Sequence, residues 1–337
     1  MPRNANIPLR GIIQPMVPFM MLLAIAPFFS SHPFYRHVLT MIFLFAAISV
    51  AWNLISGYAG LFSLAHASFF GVGAYTTVTL YVDYGVTPWL GLPIGGLAGV
   101  VVALIIGFTT FRLRRYFFVL ATLACSEAIH VLFTYWRIRA PTGLGTTVPR
   151  DPGIMKMTFQ SELPYTLIAY VLLLIVVLVA YIIVRSRVGF YLRAIEGDED
   201  AALSLGVNTS RVKLFIISIS AFFTGIGGGF YGMYMHYIEP EIVFRVDLMI
   251  QYIVFAIVGG MATIPGPIIG TILLMPLTIF FRSWIGGLLS PLGFFVYGIL
   301  LIVVIIVAPG GLMQGIGSLS RRIGRRLSAP PQRSSGA

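Results

Sequence analysis

Ten apolar stretches of membrane-spanning length dominate this sequence and leave the chain few folds to choose from. Hydrophobic residues make up 58% of its 337 residues, charged residues only 10%, and the mean hydropathy is +0.93. A helix of about 20 apolar residues crosses a bilayer because it satisfies its own backbone groups, which lipid cannot do. We therefore predict an all-α, polytopic transmembrane helix bundle of about ten spans. Their approximate limits are 16–30, 37–56, 69–83, 89–110, 116–135, 164–184, 214–236, 247–262, 267–281 and 292–308.

The distribution of Lys and Arg predicts the orientation of these spans. With ten crossings both termini lie on one side, which then carries 15 of the 22 basic residues, against 7 on the other. Basic residues favour the cytoplasmic side, so both termini are predicted to be cytoplasmic, and the net charge of +11 does not indicate nucleic acid. The predicted domains are a cytoplasmic N-terminus (1–15), a transmembrane domain (16–309) with an external loop (137–163) and a cytoplasmic loop (185–213), and a basic, partly disordered cytoplasmic tail against lipid headgroups (310–337).

The two long polar loops differ in character. In the external loop the density of Pro and Gly is expected to exclude regular structure. In the cytoplasmic loop, RSRVGFYLRAIEGDEDAALSLGVNTSRVK, Asp198 is suited to cap a short helix reaching Leu205, and Gly206 to end it. Such a helix needs a docking partner, because it is too short to be stable alone. Its acidic residues would be repelled by anionic lipid, which favours a protein partner over an interfacial linker.

Two Gly-rich segments interrupt the apolar pattern, NLISGYAGLFSLAHASFFGVGAY from Asn53 to Tyr75 and GGMATIPGPIIGT from Gly259 to Thr271. Glycine weakens a helix, and backbone freed from a helix needs partners other than lipid. Two such breaks in one bundle predict a translocation pathway or hinge, although any single Gly can simply let helices pack closely. The pathway or hinge residues from this reasoning are Ser63, His66, Gly259, Gly260, Pro265, Gly266 and Pro267.

Glu127 is the acidic residue placed deepest in an apolar stretch, and His130 follows one helical turn later. Because a charge at that depth is costly, Glu127 should face the bundle interior with a partner, or be protonated. It is either a pathway residue or a buried structural hydrogen-bonding group, with His130 or Ser126 as partner. His66 is more typical of a satisfied interior histidine than of a ligand.

The sequence carries no pattern typical of catalysis. Its five His residues show no metal-binding spacing, its single Cys125 excludes a disulfide framework, and neither a phosphate-binding loop nor a nucleophile elbow is present. We predict that the chain is not an enzyme, binds no metal or cofactor, and depends on another chain if ATP drives it.

The loop from Arg185, with the following run KLFIISISAFFTGIGGGFYG, resembles LivM-type permeases of ABC importers for branched-chain amino acids. The segments NLISGYAGLFSLAHASFFGVGAY, YFFVLATLACSEAI, TGLG and VGGMATIPGPIIGT follow in the family's order, between about Ala46 and Gly311. The resemblance implies a cytoplasmic coupling helix, here Asp198–Leu205, seated in a groove of an ATPase subunit. It gives the coupling role to Gly189, Arg193, Glu196, Ala201, Ala202 and Gly206, beside Asp198 and Leu205, and a role lining or shaping the pathway to Asn53, Gly57, Ser63, Gly71, Gly73 and Tyr75.

The resemblance also implies a set of partners in a bacterial inner membrane. These are a second, LivH-type permease subunit, two ATPase subunits that bind ATP and Mg²⁺, and a periplasmic amino-acid-binding protein. Relatives also import urea, short amides and aromatic acids, so the substrate stays open. An ion- or proton-coupled carrier that uses Glu127 is the alternative, but it leaves the 29-residue cytoplasmic loop without a role. An intramembrane enzyme would need a nucleophile and base, or a metal set, that the sequence lacks.

Overall fold

The computed structural model describes residues 20, 21, 23, 25–28, 32–113, 115–138, 145–285, 298 and 312, and these are mostly helical. The long helices are α1 (Pro33–Ser56), α2 (His66–Tyr84), α3 (Pro88–Thr110), α4 (Arg115–Ile138), α5 (Leu163–Arg185), α8 (Thr209–Met235), α10 (Val246–Gly259) and α11 (Pro265–Ile285). The short helices are α6 (Arg187–Gly197), α7 (Glu199–Ser204) and α9 (Pro240–Val243). Two-residue strands β1 (Thr146–Thr147) and β2 (Tyr237–Ile238) pair antiparallel.

Proline and glycine explain several helix limits. Pro33, Pro88 and Pro265 begin α1, α3 and α11, where proline's fixed φ suits the first turn and its missing N–H costs nothing. α2 ends at Gly85, whose φ of 67° is the left-handed conformation common after a helix. The observed limits therefore lie within a few residues of the predicted ones for most spans.

Six helical stretches are long and apolar enough to cross a membrane: Pro33–Ser56, Pro88–Thr110, Tyr116–Arg137, Leu163–Arg185, Thr209–Met235 and Pro240–Gly259. α2 and the shorter apolar stretch Pro265–Phe280 correspond to two further predicted spans. The predicted spans 16–30 and 292–308 lie largely outside the described residues, as do the 1–15 segment and nearly all of the 310–337 tail. The count of ten therefore stays a prediction.

The links between helices lie in two groups, at opposite ends of the bundle, and contacts within each group hold them together. At one end, the Asn53 side-chain amide donates to the Thr263 carbonyl at 2.7 Å, which joins the last turn of α1 to the link after α10. At the other end, the Thr87 hydroxyl donates to the Met155 carbonyl at 2.6 Å, and β1 pairs with β2. The links after α1 and α10 thus lie at one end of the bundle, and those after α2, α4 and α8 lie at the other.

The bundle is built around α8, which packs against α1, α2 and α3. Glycine makes this packing close: a Cβ atom on Gly73 of α2 would lie 2.1 Å from the carbonyl oxygen of Gly225 in α8. α5 and α11 pack against α1, and α10 lies between α11 and α1. α4 lies at the edge, in contact chiefly with α2, α3 and the short α9.

The expectation that the external loop lacks regular structure is wrong in detail. Thr146 pairs with Ile238 and Thr147 with Tyr237, and the Val148 N–H donates to the His236 carbonyl at 2.9 Å. A further bridge joins Gly153 to Thr158. The prolines that argued against strands, Pro149 and Pro152, lie between these short pairings and interrupt neither. The loop is thereby attached to the link that follows α8.

Candidate translocation pathway and coupling segment

The first predicted break is real, and it is shorter than the sequence suggested. Residues 57–65 are irregular and mostly buried, between the end of α1 and the start of α2. Side chains of α1 and α4 bind their backbone: the Trp52 indole donates to the Ser63 carbonyl at 2.9 Å, and the Leu64 N–H donates to the Thr122 hydroxyl at 3.1 Å. Irregular backbone is tolerated inside a membrane only when protein groups satisfy it in this way.

His66 is the first residue of α2, directly after this break, and is fully buried. Its Nε2 lies 2.7 Å from the Ser220 hydroxyl, and that hydroxyl donates to the Ala51 carbonyl at 2.6 Å. Because the hydroxyl hydrogen is used, Nε2 of His66 is the donor to Ser220. Ser220 lies 11 residues into α8, about 16 Å from the beginning of that helix, so the break enters the bundle deeply. His66 is therefore an interior residue joining α1, α2 and α8.

The two predicted breaks meet at Asn53. Its side-chain oxygen accepts from the Ala262 N–H at 3.0 Å, and its side-chain nitrogen donates to Thr263. A Cβ atom on Gly57 would lie 2.0 Å from the Asn53 oxygen and 2.7 Å from the Ala262 nitrogen, so glycine is required there. Residues 260–264 separate α10 from α11, and Gly260 has a φ of 126° that side chains rarely allow. We call this contact the break junction.

Other residues of the second break fall at helix ends. Gly259 is the last residue of α10, while Pro265, Gly266 and Pro267 form the first turn of α11. A Cβ atom on Gly259 would lie 1.8 Å from the Gly266 carbonyl oxygen, so α10 and α11 approach closely at this point. The sequence located the second break well, because proline at the start of a helix and glycine at its end are strong local signals.

The sequence pattern placed Gly71, Gly73 and Tyr75 in the first break. In the structure they do not belong to it. They lie within the continuous helix α2, where Gly71 faces the Phe244 ring and Gly73 faces α8. The close-packing interpretation is therefore correct for these two glycines. Tyr75 is buried and stacks on Phe244, so it does not line an open passage within this chain.

Glu127 lies at the middle of α4, 12 residues from its first residue. Its carboxylate is 3.5 Å from Nδ1 of His130, and Nε2 of His130 is 3.7 Å from the Glu241 carboxylate. The His130 ring also stacks on Phe244. The partnership with His130 is confirmed, but the expectation that Glu127 faces the bundle interior is wrong for this chain, because its side chain is 46% exposed.

Arg137, near the outer end of α4, was not among the predicted site residues. It is buried, lies over the Tyr75 ring at 5.6 Å, and donates to the Thr146 hydroxyl of β1. The sequence offered only one signal, a basic residue next to Trp136 at the end of an apolar stretch, and that signal is typical of any membrane boundary. Arg137 fixes the external loop to α2 and α4.

The polar loop 185–213, predicted to be cytoplasmic, contains the predicted short helix, α7, with its predicted caps. Asp198 accepts from the N–H groups of Asp200 and Ala201 at 3.0 and 3.1 Å, and Gly206 follows with a φ of 83°. A second helix in this loop, α6, was not predicted, although Ser186 caps it and Gly189, Leu192 and Ile195 give it a buried face. These spacings of three residues were the available signal.

α6 connects this loop to the first break. Arg193 donates to the Val184 carbonyl at 3.2 Å, and a Cβ atom on Gly189 would lie 2.3 Å from the same oxygen. Glu196 lies against Gly60, where an added Cβ atom would be 3.1 Å from the Glu196 Cγ. The predicted coupling residues Gly189, Arg193 and Glu196 therefore serve to seat α6 on α5 and on the first break.

Ala202 is placed differently from the sequence interpretation. It is 2% exposed and packs inside this chain, so it does not offer itself to a partner's groove. The short helix was expected to need a docking partner, and α6 and α8 of the same chain already supply packing for α7. Ala201 and Leu203 of α7, and Leu205 directly after it, are its exposed apolar side chains, and Leu205 is 84% exposed. We call these three residues the α7 outer face.

Among the described residues, no group of three or more His, Cys, Asp or Glu side chains is placed to hold a metal ion. The arrangement instead combines long apolar helices, two irregular segments that meet inside the bundle, and a helical loop at one end. These features are those of a multi-pass helical membrane protein.

The sequence model of a family described as "Branched-chain amino acid transport system / permease component" matches residues 34–305, and the chain belongs to this family. It is 30% identical over 261 residues to the high-affinity branched-chain amino acid transport system permease protein LivM of Escherichia coli (strain K12), covering 70% of this chain and 60% of that protein. It is 27% identical to LivM of Salmonella typhimurium, covering 71% of this chain and 61% of that protein.

A third relative is the probable branched-chain amino acid transport permease protein LivH of Methanocaldococcus jannaschii, 26% identical over 74% of this chain and 82% of that protein. The chain thus spans about three fifths of the length of the two LivM relatives. No solved structure matches it.

Proposed function

We propose that this chain is a membrane-spanning permease subunit of an ATP-binding-cassette importer for branched-chain or related hydrophobic amino acids. It would work in a bacterial inner membrane with both termini in the cytoplasm. A LivH-type second permease, two ATPase subunits that bind ATP and Mg²⁺, and a periplasmic amino-acid-binding protein would complete the importer. Family membership supports the transport role, and the names of the relatives support the substrate class.

The α7 outer face is the observation that carries the ATPase assignment. Leu203 and Leu205 are exposed on a helix whose first turn carries Glu199 and Asp200. An apolar surface beside carboxylates does not suit anionic headgroups, which repel the acids. It suits a groove in a protein, because burying a leucine side chain contributes roughly 1.5–3 kcal/mol. ATP hydrolysis would then be communicated to the spans through this contact.

Glu127 supports a placement of the pathway on the exposed side of α4. A carboxylate at the middle of a spanning helix and partly exposed on its own chain would face hydrocarbon unless another surface covers it, and that is costly. We assign this face of α4 to the boundary with the second permease, where the translocation pathway would run. The break junction, at the cytoplasmic ends of α1 and α10, would serve as the hinge.

The first experiment uses vesicles containing the assembled complex and the variant Leu205→Asp. Because Leu205 is so exposed, the variant should insert normally and keep its own stability. Losing the burial of one leucine should weaken association with the ATPase roughly 10- to 100-fold, and ATP-dependent uptake should fall with it. The matched control is Ile154→Asp, an exposed apolar residue at the opposite end of the bundle, which should retain ATPase co-purification.

Full ATP-dependent uptake by Leu205→Asp would show that α7 is not the ATPase contact. The same vesicles test the alternative function, a proton-coupled carrier, which the Glu127 and His130 pair favours. Uptake that persists when ATP hydrolysis is blocked, and that follows an imposed proton gradient, would establish the carrier and overturn the importer.

A further inference from the structure

An ion pair joins α7 to the beginning of α8. Nζ of Lys213, in the second turn of α8, contacts Oε1 of Glu199, the first residue of α7. The same oxygen accepts from the Thr209 hydroxyl at 3.0 Å. The Lys213 side chain is 3% exposed, whereas that of Glu199 is 40% exposed. Because a buried lysine without a partner is strongly destabilising, this contact holds Glu199, and with it α7, against α8.

The chain link between the two helices is a short turn, in which the Gly206 and Val207 N–H groups donate to the Leu203 and Ala202 carbonyls at 2.9 and 3.1 Å. It consists of residues 205–208 and contains Gly206 with its left-handed φ of 83°. A Cβ atom on Gly206 would meet nothing within 4 Å, so the backbone there lies in open space. The ion pair bypasses this corner and connects the first residue of α7 directly to α8.

Lys213 also reaches the neighbouring helices. Its Nζ lies 5.9 Å from the centre of the Phe111 ring, at the end of α3, and Phe111 stacks on Phe118 of α4. Further along, α8 contacts α2 at Gly73 and binds His66 through Ser220. A displacement of α7 would therefore reach α8 through Lys213, and α4, which carries Glu127, through the two phenylalanines.

We infer that Glu199 and Lys213 are positioning residues that transmit the movement of α7 into the spans, separately from the surface that docks the ATPase. This inference rests on the proposed function. The residues that dock and the residues that transmit are distinct, because the α7 outer face points away from the chain while Lys213 is buried within it. Breaking the ion pair should leave docking intact and uncouple hydrolysis from uptake.

Lys213→Met is the decisive variant in the assembled complex. Methionine fills the apolar space beside Phe111, and the Glu199 that remains is partly exposed, so the variant should fold. We expect normal co-purification of the ATPase and normal ATP hydrolysis, with substrate molecules taken up per ATP hydrolysed falling roughly tenfold, as expected for the coupling of contacting residues. The matched control, Lys156→Met, breaks the exposed ion pair with Asp151 at the opposite end and should leave this ratio unchanged.

A double-mutant cycle tests whether the two residues act through each other. Glu199→Ala alone leaves Lys213 buried without its carboxylate, so the ratio and the membrane level should both fall. The double variant Glu199→Ala with Lys213→Met should recover the membrane level and show the ratio of Lys213→Met alone, because the interaction can be lost only once.

An unchanged ratio in Lys213→Met overturns the inference, as do additive losses in the double variant. Loss of ATPase co-purification by Lys213→Met also overturns it, because the pair would then shape the docking surface. A wild-type chain that recruits no ATPase refutes the proposed function itself, and that outcome is distinguishable from the others.

Discussion

α8 and α4 are both apolar helices of spanning length, yet they relate to the rest of the chain in opposite ways. In the most apolar stretch of α8, 61% of the residues are buried within the chain, whereas in that of α4 only 17% are buried. α8 presents glycines and a serine to its neighbours and approaches α2 backbone to backbone. α4 contacts the bundle through isolated groups such as Thr122 and Ser126, and leaves large apolar side chains exposed.

The difference between α8 and α4 bears on which parts of this chain pack within the chain itself and which have a side open to another surface. In a membrane, an exposed apolar side chain is satisfied by lipid, so exposure alone says little. Glu127 changes that interpretation for α4, because lipid does not satisfy a carboxylate. The interior around α8 is closely packed within one chain, while the partly exposed Glu127 on α4 is the observation behind the proposed boundary with a second permease.

The sharpest test of the α8 interior is Gly73→Leu. The added side chain would overlap the Gly225 backbone, since even a Cβ atom would lie 2.1 Å from its carbonyl oxygen. Overpacking a dense interior costs about 1–3 kcal/mol and occasionally more, and a backbone contact places this variant at the upper end. We expect loss of folded protein in detergent, measured by thermal unfolding. Ala124→Leu on the exposed side of α4 is the matched control, and equal destabilisation by both would contradict the contrast between the helices.

An intermediate effect is expected for Asn53→Ala at the break junction. The variant removes two hydrogen bonds to the backbone at Ala262 and Thr263, which should reduce the free energy of unfolding by about 1–3 kcal/mol. Because these bonds join the two breaks, uptake should fall more than stability explains. Ser49→Ala is the matched control, because it removes one buried hydrogen bond from α1 to the Tyr252 carbonyl of α10, away from the breaks. If both variants reduce uptake equally, the junction has no special role as a hinge.

The smallest effect on stability is expected for Glu127→Gln. The amide keeps the shape of the side chain and can still bind His130. Because the side chain is also partly exposed, the free energy of unfolding should change by less than about 0.5 kcal/mol. Uptake by the assembled complex should fall by less than about tenfold, and its pH dependence should be unchanged, because transport is driven by ATP. Abolished uptake together with a lost pH dependence would instead support a proton-coupled carrier.

The sequence predicted features that depend on a few neighbouring residues. The caps of α7 at Asp198 and Gly206 were correct because capping is a local interaction within one turn. The second break was correct because Gly260 and Pro265 act on their own backbone. The limits of the described long helices followed from hydropathy, since lipid acts on each stretch separately.

The sequence did not predict which side chains face one another. It grouped Gly71 and Gly73 with the break, although only the packing of α2 against Phe244 and α8 shows their role. The resemblance gave Ala202 a role in coupling to a partner, but its side chain is buried within this chain. Glu127 was expected either to face the interior with a partner or to be protonated, and its side chain lies beside His130 but is 46% exposed. In a membrane, hydropathy does not separate a lipid-facing side from an interior side. The pattern along one helix therefore says little about which of its sides faces the interior.

The sequence by itself therefore determined the class of fold, most of the helix limits and the existence of a helix in the polar loop 185–213. These features depend on local backbone chemistry and on transfer into lipid. Only the tertiary structure decided that Asn53 joins the two breaks, that Lys213 ties α7 to α8, and that Glu127 lies on the outer side of α4. These contacts join residues as many as 210 positions apart, or depend on how whole helices rotate against each other. Close packing of the assembled bundle sets those rotations, and no single stretch of the chain encodes them.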